Sequence, residues 1–189
     1  MRAALAGVMV LALASAALAQ QGVAEPGDYR IDNYRSAVPV TLTGARVLTT
    51  EQAEVIWRAK SGVFVDVLPR LPKPKNLPEG TVWRDKPRSN IPGSIWLPDT
   101  GYGRLAPSTE DYLRQGLARV TKGNKNVLLV IYCQADCWMS WNAAKRAISF
   151  GYSNVAWYPE GTDGWTFHDL PTQESQPEPR PDEEMPPPH

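Results

Sequence analysis

Val127-Leu128-Leu129-Val130-Ile131-Tyr132-Cys133-Gln134-Ala135-Asp136-Cys137-Trp138 is the stretch that decides the fold. Six consecutive apolar or aromatic residues, three of them β-branched, predict a strand buried on both faces. Such strands occur in parallel sheets covered by helices. The run stops at Cys133. A polar loop follows, and a helix is expected from Ser140 to Phe150, closed by Gly151. Cys133 is thereby placed at the carboxyl end of a central strand, where open α/β sheets bind their ligands.

Working outward, Val63-Phe64-Val65-Asp66-Val67 and Ser94-Ile95-Trp96-Leu97 read as further short strands, and Asn154 to Trp157 as the last. Thr50 is expected to cap a helix running to about Lys60. Ser108 is expected to open another reaching about Val120. Strands alternating with helices predict a parallel sheet with right-handed crossovers. Asn90-Ile91-Pro92-Gly93 and Gly161 to Trp165 are expected as turns. Residues 68–88 carry five prolines with Arg70, Lys73, Lys75, Arg84, Lys86 and Arg88, and read as a surface insertion. Residues 20–45 read as a poorly packed arm. Residues 171–189, rich in Pro and Glu, read as a disordered tail. The folded domain is expected over 46–170.

The N-terminus has the form of a leader. Met1-Arg2 supplies a charge, residues 3–16 are small and apolar, and Ala17-Leu18-Ala19 fits a cleavage site. Residues 1–19 are therefore expected to be a signal peptide, and the mature chain to be exported, to a periplasm. Among the 189 residues 42% are hydrophobic, enough for a core, and 20 basic residues balance 20 acidic ones. That balance speaks against a nucleic-acid binder and against an electrostatic membrane binder.

The two cysteines are Cys133 and Cys137. A bridge between them would constrain little chain, so the pair points to chemistry. A thiolate is the nucleophile, and amides of the loop and of the helix start are expected to favour it. No basic residue lies between Cys133 and Ser140, and Asp136 opposes the effect. Catalytic roles are expected for Cys133 and Cys137. Gln134, Ala135, Asp136, Trp138, Met139 and Ser140 are expected to form the active-site loop.

Taken together, Tyr132-Cys133, Ala143-Ala144, Gly151-Tyr152, Asn154-Val155 and Gly161…Gly164-Trp165 resemble the C-terminal half of a rhodanese domain. Val63 to Val67 resembles the strand that carries the family's structural aspartate, here Asp66. Asn90 to Ile95 resembles its HIPGA turn. The resemblance implies a rhodanese-like three-layer α/β/α fold with a five-stranded parallel sheet, and Cys133 as the persulfide-forming residue. More narrowly, Cys133 to Trp138 behind a signal peptide resembles the PQQ-dependent catabolism-associated CXXCW motif proteins. That likeness implies a link to a periplasmic PQQ-dependent alcohol dehydrogenase or cytochrome c. The loop departs from ordinary rhodaneses: it is one residue longer, and its usual glycine and arginine are absent. Leu68 replaces the arginine that follows the structural aspartate.

Four chemistries fit these residues. They are sulfur transfer through a Cys133 persulfide, thiol–disulfide exchange with Cys137 resolving, Cu(I) capture by the pair with Met139 nearby, and non-catalytic docking to a redox partner. No cofactor is expected otherwise. His168 is the remaining imidazole ahead of the tail. Trp138 and Trp141 are the tryptophans expected to serve the site and not the core.

Overall fold

In a computed structural model the described residues are 23–71, 76–81 and 87–180. The leader expected at 1–19, the start of the arm, Lys73, Lys75, Arg84 and Lys86 of the insertion, and residues 181–189 of the tail lie outside them.

The first strand is β1 (Ala45–Val47). Helix α1 (Thr50–Arg58) follows, capped by Thr49, one residue earlier than the expected Thr50. Gln52 completes a capping box, its side chain accepting from the Thr49 amide. Then come β2 (Val63–Asp66), β3 (Arg88–Asn90) and β4 (Ile95–Trp96). Helix α2 (Pro107–Thr121) begins with proline at its first position, where no amide bond is lost. The remaining elements are β5 (Leu129–Tyr132), α3 (Trp138–Ser149), β6 (Val155–Tyr158), α4 (Gly161–Phe167) and β7 (Gln173–Ser175).

Strands β1, β6, β5, β2 and β4 form one parallel sheet in that order, with β5 at its centre. Alternate residues feed two cores. Val65, Leu129, Ile131, Val155 and Trp157 join the cluster built with α2 and α3. Phe64, Val130, Tyr132, Ala156 and Tyr158 join the cluster of α1 and α4. This is the expected three-layer α/β/α arrangement with a five-stranded parallel sheet. All four residues of β5 are fully buried, each contributing on the order of 1.5–3 kcal/mol.

Three expectations are corrected. The arm is packed: its main chain accepts from the indoles of Trp138 (Ala37 O, 3.1 Å) and Trp141 (Thr41 O, 3.2 Å), and Leu42 is in the core. Its prolines break regular structure without preventing long-range pairing with side chains. The tail is ordered as far as Arg180. Strand β7 pairs antiparallel with β3, and the Glu178 amide donates to Trp96 O (2.9 Å). This covers the outer edge of β4, which otherwise presents unpaired backbone groups. Residues 161–167 form α4 and not a simple turn, because Gly161 takes φ +53° and lets the chain reverse straight into helix.

Candidate active site at the end of the central strand

The β5 chain leaves the sheet at Cys133 and enters α3 at Cys137, which is the N-cap. The helix begins at Trp138, two residues ahead of the expected Ser140. The loop is therefore just Gln134, Ala135 and Asp136. Trp138, Met139 and Ser140 are the first turn of α3 and are buried. Ser140 Oγ donates to Cys137 O (3.1 Å) and accepts from Trp157 Nε1 (3.0 Å), a structural role. Trp138 and Trp141 are core residues at 1% and 0% exposure, which corrects the expectation that they serve the site. Both are large apolar bodies with the single polar atom satisfied by the arm.

Cys133 and Cys137 are joined by a disulfide, with Cα atoms 6.6 Å apart. Both are buried, and the arm packs over them. Arg35 bridges Cys137 in antiparallel fashion, and the Trp138 amide donates to Tyr34 O (3.0 Å). Asp136 sits at φ +49°, in the left-handed region that Asp tolerates better than most residues. Two of the amides expected around the sulfur are engaged elsewhere. Ala135 N donates to Asp163 Oδ2 (3.2 Å), and the Trp138 amide is taken by Tyr34.

What holds Cys133 is its carbonyl. It accepts from Thr162 N (3.1 Å), Thr162 Oγ1 (3.2 Å) and Arg88 Nη2 (3.1 Å). Arg88 also donates from Nε to Oδ2 of the fully buried Asp66 (2.8 Å). The other Asp66 oxygen accepts from the Leu68 amide (2.8 Å). Asp66, expected from the resemblance as structural support, is held on both oxygens in this way. From the sequence Arg88 reads only as one of the cations of a surface insertion, and nothing in its local sequence signals its partner 22 residues away. Arg88 also closes a groove of about 390 Å³ with Leu68, Pro69, Leu71, Trp96 and Gln134, beside the cysteine loop. His168 caps α4, with Nε2 3.9 Å from Glu51 Oε1. Among the described residues no group of three or more His, Cys, Asp or Glu is placed to hold a metal ion.

Two substitutions probe this geometry. A Cβ on Gly161 would lie 2.7 Å from the Cys133 carbonyl carbon and oxygen and from the Gln134 Cα, all of them backbone and unable to yield. Gly161→Ala is expected to lose about 2 kcal/mol or more, read as a lower urea midpoint. Burial pushes the Asp66 carboxyl up to about 6 from its ordinary 3.8, against the opposing pull of Arg88 and the Leu68 amide. The folded chain then holds that proton more tightly than the unfolded one. This contribution to stability is complete below the unfolded value and is lost as pH rises through the folded one. The stability of the wild type relative to Asp66→Asn is expected to fall between about pH 4 and 6, and to level off above. Urea titrations of both proteins across that range test it.

Residues 83–168 match the rhodanese-like domain family. Solved structures are similar over part of the chain. The thiosulfate sulfurtransferase from Pseudomonas aeruginosa is 18% identical, over 70% of this chain and 21% of that one, with a TM-score of 0.46. An uncharacterized protein from Saccharomyces cerevisiae is 25% identical, over 66% and 92%, with a TM-score of 0.40. Wild-type EanB is 18% identical, over 68% and 27%, with a TM-score of 0.45. This chain thus spans 21% of the length of the first. No curated protein matches in sequence.

Proposed function

We propose that this rhodanese-like chain carries sulfane sulfur on Cys133, with Cys137 as the resolving thiol. The observation that carries the proposal is the bond between the two sulfurs at the carboxyl end of β5. In the bridged state a hydrosulfide ion attacks Cys133 Sγ. The S–S bond breaks, Cys137 leaves as a thiolate, and Cys133 becomes a persulfide. Sulfide is oxidised by two electrons and the bridge is reduced by two. In the reverse direction Cys137 attacks the persulfide, expels hydrosulfide and rebuilds the bridge. Transfer of the outer sulfur to an acceptor thiolate instead leaves both cysteines reduced.

Attack on the bridge is itself a thiol–disulfide exchange, so the two readings share this step; after transfer, a disulfide-type oxidant must take two electrons from the dithiol to restore the bridge. Cu(I) binding requires both sulfurs as thiolates, and so belongs to the reduced state alone. Docking through exposed Trp138 and Trp141 has lost its support, since both are buried.

The leader-like residues 1–19 support a periplasmic location. The cysteine pair followed by Trp138 supports the link to PQQ-dependent alcohol catabolism, with a quinoprotein dehydrogenase or cytochrome c as partner. Three residues separate the cysteines here, one more than the family's motif name states.

Intact-mass analysis of the bridged chain after sulfide treatment tests the proposal. A mass gain of one hydrogen sulfide, mapped to Cys133, is expected. No gain in a chain whose bridge is intact overturns it.

A further inference from the structure

Sulfur donors are mostly anions, and the cysteine loop brings no cation of its own. The carboxylates at it are Asp136, which is exposed, and Asp163, which holds the Ala135 amide. Most cations around α3 are committed. Arg88 is paired with Asp66, Arg146 is buried on Gly103 O, Lys145 binds the carbonyls of Pro26 and Gly27, and Arg30 pairs with Asp32.

Arg35 differs. The arm lays it directly over the loop, where Nη1 donates to Ala135 O (2.8 Å). With its amide oxygen turned toward the guanidinium, Gln134 accepts from Arg35 Nε (3.2 Å) and Nη2 (3.3 Å). The Arg35 side chain is exposed, and among the described residues it has no carboxylate partner. Its charge is therefore not neutralised, and it stands on the loop between two buried cysteines, beside Cys137, with which its backbone pairs. Gln134, its partner, also borders the groove closed by Arg88.

We propose that Arg35, delivered by the N-terminal arm, is the residue that selects anionic thiols and sulfur donors at the Cys133–Cys137 bridge. This rests on the bridge being the reactive centre. The loop has no cation of its own, and Arg35 brings one from 100 residues upstream of Ala135. A point charge at the rim raises the local concentration of anions and favours the anionic transition state of thiolate attack.

The test measures reduction of the oxidised full chain by two small thiols, with rates expressed per thiolate. One is 2-mercaptoethanesulfonate, whose far end is anionic. The other is 2-mercaptoethanol, whose far end is neutral. Each thiolate attacks one sulfur and the other leaves as a thiolate; a second small thiolate then attacks the mixed disulfide, releasing the small-molecule disulfide and the second protein thiolate. The wild type is expected to favour the sulfonate by about three- to tenfold, less at high salt. R35Q is expected to bring the ratio to about one or below, R35K to keep most of it, and Arg58→Gln on the remote helix α1 to leave it unchanged. If R35Q speeds both thiols equally and keeps the ratio, Arg35 is only part of a lid and the inference fails. An unchanged ratio with unchanged rates overturns it as well. If neither thiol reduces the folded wild type while the unfolded chain is reduced readily, the bridge is not a reactive centre, and the proposed function falls with the inference.

Discussion

Arg88→Gln is expected to destabilise the fold by about 3–5 kcal/mol near neutral pH, the largest loss we anticipate from a single polar substitution. Asp66 is fully buried, and Arg88 is the cation that faces it. Removing the guanidinium leaves a carboxylate in the core with only the Leu68 and Val67 amides as partners. It also removes one donor from the Cys133 carbonyl and one from Thr162 Oγ1. The carboxyl escapes part of this penalty by taking up a proton, so the loss is expected to be smaller at about pH 5 than at about pH 7.5. Asp66→Asn combined with Arg88→Gln is expected to lose less than the sum of the single changes, because neither then leaves an unpaired charge. Urea midpoints of the four proteins give the coupling. A loss under about 1 kcal/mol for Arg88→Gln shows that the pair is relaxed by water and does not anchor the strand end.

Cys133→Ser is expected to lower sulfur transfer by about a thousandfold or more, since the nucleophile is gone. Cys137→Ser is expected to behave differently. It retains Cys133 and can accept sulfur from a persulfide donor, but it cannot expel hydrosulfide, so the Cys133 persulfide accumulates. Stability separates chemistry from folding here. Either change opens the same small loop, and the chain-entropy estimate for a loop of about five residues is about 2 kcal/mol. Both variants are therefore expected to lose similar stability and to differ in activity. Mass analysis of each after treatment with a low-molecular-weight persulfide reads the two outcomes. Equal labelling of the two variants overturns the assignment of Cys133 as the carrier.

The central strand and its cysteine are legible because β5 is an unbroken apolar run, and a strand buried on both faces carries such a run. The 90–93 turn is legible for a similar reason. Gly93 takes φ +82°, and the Ser94 amide closes back onto Ile91 O (3.0 Å). The start of α3 is not legible, because Cys137 makes no side-chain capping bond and carries none of the usual cap chemistry. The arm and the tail read as loose, since composition reports how a segment behaves alone. Their order comes from partners far along the chain. Asn142, for example, accepts from the Arg30 amide (2.9 Å) and donates to the Arg30 carbonyl (2.9 Å).

Sequence by itself settled the layered α/β architecture, the central place of β5 and the position of Cys133 at its mouth, because those depend on local periodicity and on where an apolar run ends. Tertiary structure alone decided that Arg88 serves the buried Asp66, that the two sulfurs are bonded, and that Arg35 lies on the loop between them. Each of these joins residues through side chains or a folded arm, and such contacts exist only once the sheet has brought distant segments within a few ångströms.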